Sequence, residues 1–216
     1  MLCTLHNQRQ RIRRPASWHP PGDPARLSQR KGSGLDEIVI RPARPGDAPA
    51  IAVIYNQGIR GRNATYETEE RTAGERRAWL EAKDRHHPTL VATLGSGLDA
   101  PVVGWVSASD YRPRPCYRGI AEFSVYVHDD YHGHGIGRKL MDTFIPACID
   151  AGLWKILSRI FPENTGSLAL CRAVGFREVG IYEKHSYLDG VWRDVVIVER
   201  LFPENITDPP PDPAEW

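Results

Sequence analysis

Residues 132–139 read His-Gly-His-Gly-Ile-Gly-Arg-Lys and lie between a predicted strand and a predicted amphipathic helix. Three glycines let the backbone approach a ligand closely, and the start of a helix presents N–H groups that have no acceptor within the helix. The segment therefore predicts an anion site. Its spacing is not that of a Walker loop, because leucine rather than serine or threonine follows Lys139. It is not that of a Rossmann turn either, since the glycines recur at every second residue.

The hydrophobic pattern on both sides of this loop predicts a mixed α/β domain. Helices are expected from Pro45, over 74–86, from Ile136, and from the cap at Asn164 to Gly175. Runs typical of strands occur at residues 37–41, 90–94, 102–109, 120–128, 155–160, 177–187 and 192–200. The pattern thus predicts a sheet of about seven strands with about four helices.

The chain has 216 residues, and its composition changes at both ends. Residues 1–34 hold seven Lys or Arg and one Asp, a net charge of +6. Residues 1–36 are predicted to be a basic disordered extension, 37–202 a single domain, and 203–216 a Pro-rich flexible tail. The basic arm is also compatible with a nucleic-acid contact or a transit peptide. Its prolines and its lack of an amphipathic period favour disorder, so nucleic acid is not the expected partner.

The composition is that of a globular protein, with 41% hydrophobic and 25% charged residues. The apolar runs are far shorter than the roughly 20 residues that span a bilayer, so no membrane association is expected. Cys3, Cys116, Cys148 and Cys171 form no CxxC pair, and neither a zinc ribbon nor a disulfide scaffold is predicted. A reducing, cytoplasmic location is the default expectation.

Several segments, with the glycine loop, resemble the GNAT superfamily of acetyl-CoA-dependent N-acetyltransferases. The loop is similar to the pyrophosphate loop of that superfamily, and residues 162–167 (PENTGS) and 173–176 (AVGF) fall where it has a second cofactor segment. Residues 64–68 (ATYET), 122–128 (EFSVYVH) and 187–192 (YLDGVW) resemble the phosphinothricin/methionine sulfoximine acetyltransferase branch. The resemblance covers residues 38–202.

The resemblance implies a GNAT-type fold and an acetyltransferase that takes acetyl-CoA as cosubstrate and needs no metal. The fourth and fifth strands are expected to separate, with the pantetheine between them. The acetyl group is expected to pass by direct attack, in a ternary complex, to the primary amine of a small phosphinothricin-like or methionine sulfoximine-like amino acid. The alternatives are another small amine, a protein N-terminus, or a non-catalytic acyl-CoA sensor.

The cofactor site implied by the resemblance combines the fourth strand, the glycine loop and the start of the fourth helix. A backbone N–H near Val127 is the expected donor to the thioester oxygen. His132 departs from the Arg or Gln of the family pattern, and a metal site made by His128, His132 and His134 is an alternative that flexible neighbouring glycines disfavour. The predicted cofactor residues are Val125, Tyr126, Val127, His132, Gly133, His134, Gly135, Ile136, Gly137, Arg138, Lys139, Asn164 and Ser167.

Glu122 is the candidate general base. On a strand it shares one face with Ser124 and Tyr126, and a carboxylate among apolar neighbours is costly unless it is paired or used. One reading is a structural ion pair with Arg112 or Arg118. The other is a base that removes a proton from the ammonium group of the acceptor, which is the role of the equivalent glutamate in the family.

Cys171 stands where the family has a Tyr or His that protonates the leaving thiolate, so it is the candidate acid. The alternative is that Cys171 is a buried structural cysteine. Other candidates for the acid are Tyr182, His185 and Tyr187. For the acceptor, the forked guanidinium groups of arginines suit carboxylates. The predicted substrate-binding residues are Tyr66, Arg112, Tyr117 and Arg118.

A two-fold homodimer is also expected from the resemblance. Residues 65–67 and 187–192 are rich in aromatic and turn residues that one monomer need not bury. The alternative is a monomer in which these aromatics cover the substrate.

Overall fold

The structure is a computed structural model that describes residues 37–208. The predictions for residues 1–36 and 209–216 lie outside the described residues. Seven strands and four helices occur within them, in the order predicted. They are β1 (Ile38–Pro42), α1 (Ala48–Gly61), α2 (Ala73–Glu81), β2 (Thr89–Leu94), β3 (Val102–Asp110), β4 (Ile120–Val127), α3 (Ile136–Asp150), β5 (Lys155–Ile160), α4 (Thr165–Ala173), β6 (Arg177–Leu188) and β7 (Val191–Leu201).

The strands form one mixed sheet in the order β1-β2-β3-β4-β5-β7-β6. Neighbours are antiparallel except β4 and β5, which run parallel. Their pairing is short, because it begins at Ile120 with Lys155 and ends at Glu122 with Leu157. Beyond Glu122 the two strands separate, so the sheet opens at its centre as the resemblance implies.

The two faces of the sheet are covered by different helices. On one face, α3 buries Ile136, Leu140, Phe144 and Cys148 at helical spacing, and Phe144 packs against Phe123 of β4 with ring centroids 6.4 Å apart. On the other face, residues of α1 pack with Val91 and Trp105. Since side chains alternate along a strand, the face of β4 that carries Glu122 and Tyr126 is the α1 face.

Local signals set most element ends. Thr72 caps α2 by accepting a hydrogen bond from the Glu75 N–H at 3.2 Å, and Gly175 adopts φ +83° just after α4, as its predicted position requires. The prediction for 74–86 was too long, because α2 ends at Glu81 and Asp84 then accepts hydrogen bonds from the N–H groups of a following turn. No helix among residues 37–208 has the length and apolar character that a membrane crossing requires.

The described chain continues past the last strand. Pro203–Asn205 form a single 3-10 turn, and the Asn205 amide donates to the carbonyl oxygens of Ile149 and Leu153 at 2.8 and 2.7 Å. These contacts fix the chain after β7 against the end of α3.

A partly buried ion pair joins β1 to the start of α1. Arg41 donates two hydrogen bonds of 2.8 Å to the Asp47 carboxylate, which also accepts from the Arg44 N–H at 2.7 Å. Burial opposes the charged form of Asp47, but the bonds from Arg41 and Arg44 outweigh it and lower its pKa. The pair is therefore part of what holds the first helix to the sheet.

Asp47→Ala is expected to lower the free energy of unfolding by about 3 kcal/mol at pH 7, because it leaves Arg41 without its partner. Since the folded-state pKa of Asp47 is lowered, its contribution is complete above the unfolded value of about 4 and is lost as the pH falls further. Urea unfolding at pH 7 and pH 3 checks both points. The control is Glu70→Ala, which breaks an exposed pair with Arg60 and should cost under about 1 kcal/mol. An equal cost for both variants would contradict this account of the pair.

Candidate active site

A cleft of about 910 Å³ lies between α1, the end of β4, the glycine loop and the start of α4. It adjoins a smaller chamber of about 140 Å³ in the gap between β4 and β5. The residues that line both are Asn63, Ala64, Val125, Tyr126, Asn164 and Ser167. An elongated ligand can therefore reach from the glycine loop into the sheet.

The glycine loop is built to approach this cleft. Gly133 and Gly135 have φ of +79° and +74°, which L side chains rarely adopt, and Gly135 is the N-cap of α3. A Cβ on Gly137 would lie 3.1 Å from Leu170 Cδ2 of α4. The first two glycines thus allow the turn, and the third allows α4 to pack against the first turn of α3, whose N–H groups lack acceptors in the helix.

His132, the departure from the family pattern, is held by the backbone of β4. Its Nε2 donates to the Val127 carbonyl oxygen at 2.9 Å and so ties the loop to the end of β4. Arg138 is engaged as well, by the Asp142 carboxylate at 2.8 Å and the Ala173 carbonyl oxygen at 2.9 Å. The backbone N–H groups and the dipole at the start of α3 add positive charge at this end of the cleft.

The direction of the N–H groups of β4 follows from its pairing with β3. The His128 N–H donates to the Val103 oxygen at 2.9 Å, and hydrogen bonding in an antiparallel pair alternates along the strand. The N–H groups of Val125 and Val127 therefore point to the other edge, towards β5. Because β5 has separated there, these donors face the gap.

The structure gathers most of the predicted cofactor residues at this cleft. All of them line it except His134 and Lys139, which are exposed on the outside of the loop and of α3. Lys139 follows Arg138 on a helix, where consecutive side chains point about 100° apart, so only one of the two can face the cleft.

Glu122 lines the chamber, and its partner is Arg159 rather than Arg112 or Arg118. Arg159 Nε donates to Glu122 Oε1 at 2.9 Å, and Nη2 donates to Oε2. The register explains the pair, because Arg159 lies two residues beyond Leu157, the residue opposite Glu122. The carboxylate in turn raises the pKa of the Arg159 guanidinium through the hydrogen bond and its charge.

Of the predicted substrate residues, only Tyr66 lines the chamber. Its ring packs edge-on against Phe161 at 5.0 Å, and burial raises its pKa against the opposing charge of Arg159. Arg112, Tyr117 and Arg118 lie in the segment between β3 and β4 and line neither the chamber nor the cleft. There Arg112 stacks on the Tyr111 ring with its Cζ 5.1 Å from the centroid.

Cys171 forms part of the inner wall of the chamber and is 2% exposed. Burial, assisted by the charge of Glu178, raises the pKa of its thiol to about 12. A thiol of this kind holds its proton too tightly to give it readily to a leaving thiolate, whose ordinary pKa is about 8.5. The structure favours the alternative of a buried structural cysteine. Tyr182, His185 and Tyr187 lie on β6 and do not line the chamber.

The three histidines of the alternative metal site are not brought together as ligands. His128 Nε2 contacts the Gln57 amide at 3.1 Å and its Nδ1 accepts from the Asp130 N–H at 3.2 Å, while His132 is bonded to Val127. Within residues 37–208, no group of three His, Cys, Asp or Glu side chains is placed to hold a metal ion.

Comparison with known proteins agrees with this geometry. Residues 37–177 match the acetyltransferase (GNAT) domain family. Phosphinothricin N-acetyltransferase of Alcaligenes faecalis is 35% identical over 191 residues, 86% of this chain and 94% of that protein. L-methionine sulfoximine/L-methionine sulfone acetyltransferase of Pseudomonas paraeruginosa is 33% identical over 161 residues, which are 74% of this chain and 92% of that protein.

Solved structures give the same result. The GNAT superfamily phosphinothricin acetyltransferase from Sinorhizobium meliloti in complex with acetyl-CoA superposes with a TM-score of 0.69 at 27% identity, covering 76% of this chain and 88% of that one. A domain match, two curated relatives and a shared architecture lead to one assignment. The chain belongs to the GNAT family of acetyltransferases.

Proposed function

We propose that the protein transfers the acetyl group of acetyl-CoA to the primary amine of a small amino acid analogue, of the phosphinothricin or methionine sulfoximine kind. The observation that carries the proposal is the junction of the two cavities: a cleft lined by the glycine loop leads into a chamber that holds a carboxylate, Glu122. The names of the two relatives, which cover most of this chain, support this class of acceptor.

The residues of the cleft fit acetyl-CoA, which supplies an acetyl thioester when bound. Nothing lies within 4 Å of a Cβ position on Gly133 or Gly135, so this part of the loop is open to the close approach of a ligand. We assign the pyrophosphate to the N–H groups at the start of α3 and the pantetheine to the gap edge of β4. There the N–H groups of Val125 and Val127 offer donors, and that of Val127 is the candidate for stabilising charge on the thioester oxygen.

In the chamber, Glu122 takes one proton from the ammonium group of the acceptor. The freed nitrogen lone pair forms the C–N bond, and the thioester C–S bond breaks with its electron pair going to sulfur. The nitrogen loses a second proton as the amide forms, and one proton is taken up by the thiolate. No covalent link to the protein is needed, so both substrates are bound together.

The second candidate is an acyl-CoA sensor without catalytic activity. Two observations favour it: Arg159 occupies both oxygens of Glu122, and Cys171 replaces the usual acid with a buried thiol. A thermal-shift screen of amino acids with acetyl-CoA present, followed by a thiol-release assay on the hits, separates the two functions. The proposed enzyme is stabilised by its acceptor and releases thiol, whereas a sensor responds to acetyl-CoA alone.

We also propose a two-fold dimer formed through β6. This strand is at the edge of the sheet and exposes apolar side chains, including Ile181, which is 59% exposed, and Tyr182, which is 55% exposed. An edge strand with an apolar surface readily pairs with another chain. Self-complementary contact of two copies gives the commonest closed assembly.

Light scattering of the full chain at micromolar concentration is expected to give the mass of two chains. Ile181→Glu should shift the mass towards one chain, because it places a charge in the apolar contact. Val53→Glu is the control, since Val53 is similarly exposed on α1, at 51%. A wild-type mass of one chain with full activity would contradict the dimer.

A further inference from the structure

The chamber contains one pair of opposite charges. Among the residues that line it, all within the described part of the chain, Glu122 is the sole acid and Arg159 the sole permanent cation. Two of the five N–H donors of the Arg159 guanidinium hold the Glu122 carboxylate in a forked contact. Arg159 is 39% exposed at its side chain and Glu122 22%, so a ligand entering the chamber can reach both groups.

This pairing conflicts with the proposed reaction unless it opens. Glu122 must take a proton from the acceptor, yet both of its oxygens accept from Arg159. Separation of the pair without a replacement is unfavourable on the Glu122 side, because that carboxylate, at 22% side-chain exposure, would lose its partner. The base therefore needs a ligand that replaces the contact rather than one that only breaks it.

A molecule with an ammonium group and a carboxylate attached to the same carbon can make that replacement. Its carboxylate suits the planar fork of Arg159, and its ammonium group takes the position of a cation beside Glu122. Every charge is still paired after the exchange. An amine without a carboxylate displaces Arg159 from Glu122 and leaves the guanidinium without an anion.

We infer that Arg159 binds the carboxylate of the acceptor and that this exchange releases Glu122 to act as the base. The inference rests on the proposed function and makes Arg159 the residue that distinguishes α-amino acids from other amines. Arg159 follows from the register of β5 against β4, and it was absent from the substrate residues predicted from the sequence.

The test uses the full chain and two probes that differ at one group, L-methionine sulfone and its α-carboxamide. With thiol release at saturating acetyl-CoA, the wild type is expected to prefer the acid by about 10²-fold or more in kcat/KM. Arg159→Gln should lower kcat/KM for the acid by about 10²-fold, mainly through KM, and should leave the value for the carboxamide unchanged or higher. Arg159→Lys keeps the charge but not the fork and should give an intermediate loss.

Arg172→Gln is the matched control, because it removes an arginine from an exposed ion pair, with Glu178, outside the chamber. An equal loss with both probes in Arg159→Gln would overturn the inference, since it would show a structural role only.

Calorimetric titration of the two probes separates the inference from the proposed function. The inference is supported if the wild type binds the acid more tightly than the carboxamide and Arg159→Gln abolishes this preference. If that result is obtained but no thiol is released, the proposed function alone fails. Equal wild-type affinities for acid and carboxamide would overturn the inference.

Discussion

Glu122→Gln is expected to lower kcat by about 10²–10⁴-fold at neutral pH, with little change in the affinity for acetyl-CoA. The side chain keeps its shape but no longer accepts the proton of the ammonium group. The loss should shrink as the pH rises, because more of the acceptor is then already neutral. Steady-state kinetics from pH 7 to pH 10, with fluorescence or calorimetric titration of acetyl-CoA, measure both quantities.

The control for this substitution is Glu178→Gln, which also removes a carboxylate from an arginine but lies outside both cavities. It should retain wild-type turnover. A Glu122→Gln variant with wild-type kcat at neutral pH would show that the Glu122–Arg159 pair is structural and that the base lies elsewhere. Glu122 and Arg159 also have distinct expected signatures, since the first substitution acts on kcat and the second mainly on KM.

Gly137→Val is expected to raise the KM for acetyl-CoA by roughly 10²-fold or more. Its Cβ would lie 3.1 Å from Leu170 Cδ2, so α4 and the first turn of α3 must move apart. Gly135→Val should act in the same direction for another reason, because a β-branched residue resists the φ of +74° at the N-cap. In both variants the N–H groups assigned to the pyrophosphate are displaced.

Direct calorimetric titration with coenzyme A measures this effect apart from turnover, and circular dichroism checks that each variant is folded. Gly46→Val is the control, because nothing lies within 4 Å of a Cβ there and the φ is not restricted to glycine. Unchanged coenzyme A affinity in both Gly135→Val and Gly137→Val would remove the glycine loop from the cofactor site.

The parts of the fold that local signals specify were predicted correctly. Period-2 alternation placed Glu122 and Tyr126 on one face of β4, and the Gly175 position marked the end of α4. The end of α2 was less predictable, because the charged residues that follow Glu81 are also common in helices. In the structure, Asp84 accepts a hydrogen bond within a turn instead.

The ion-pair partner of Glu122 could not be predicted from local sequence patterns. Arg112 and Arg118 are near Glu122 in the sequence, whereas Arg159 is 37 residues away and is brought to it by parallel pairing. Such register depends on how α3 crosses over between the two strands, which no local pattern specifies. The same limit applies to Cys171, which the resemblance to the family suggested as an acid but whose burial raises its pKa to about 12.

The most direct test of an acetyltransferase with an amino acid acceptor is to incubate the full chain with acetyl-CoA and L-methionine sulfoximine and to follow the amino acid by mass spectrometry. The account predicts a product heavier by one acetyl group, one thiol released for each acetyl transferred, and product formation that Glu122→Gln slows by about 10²-fold or more. Acetyl-CoA that binds the glycine loop, with no acetylated product from this or any other amino acid, would contradict the account.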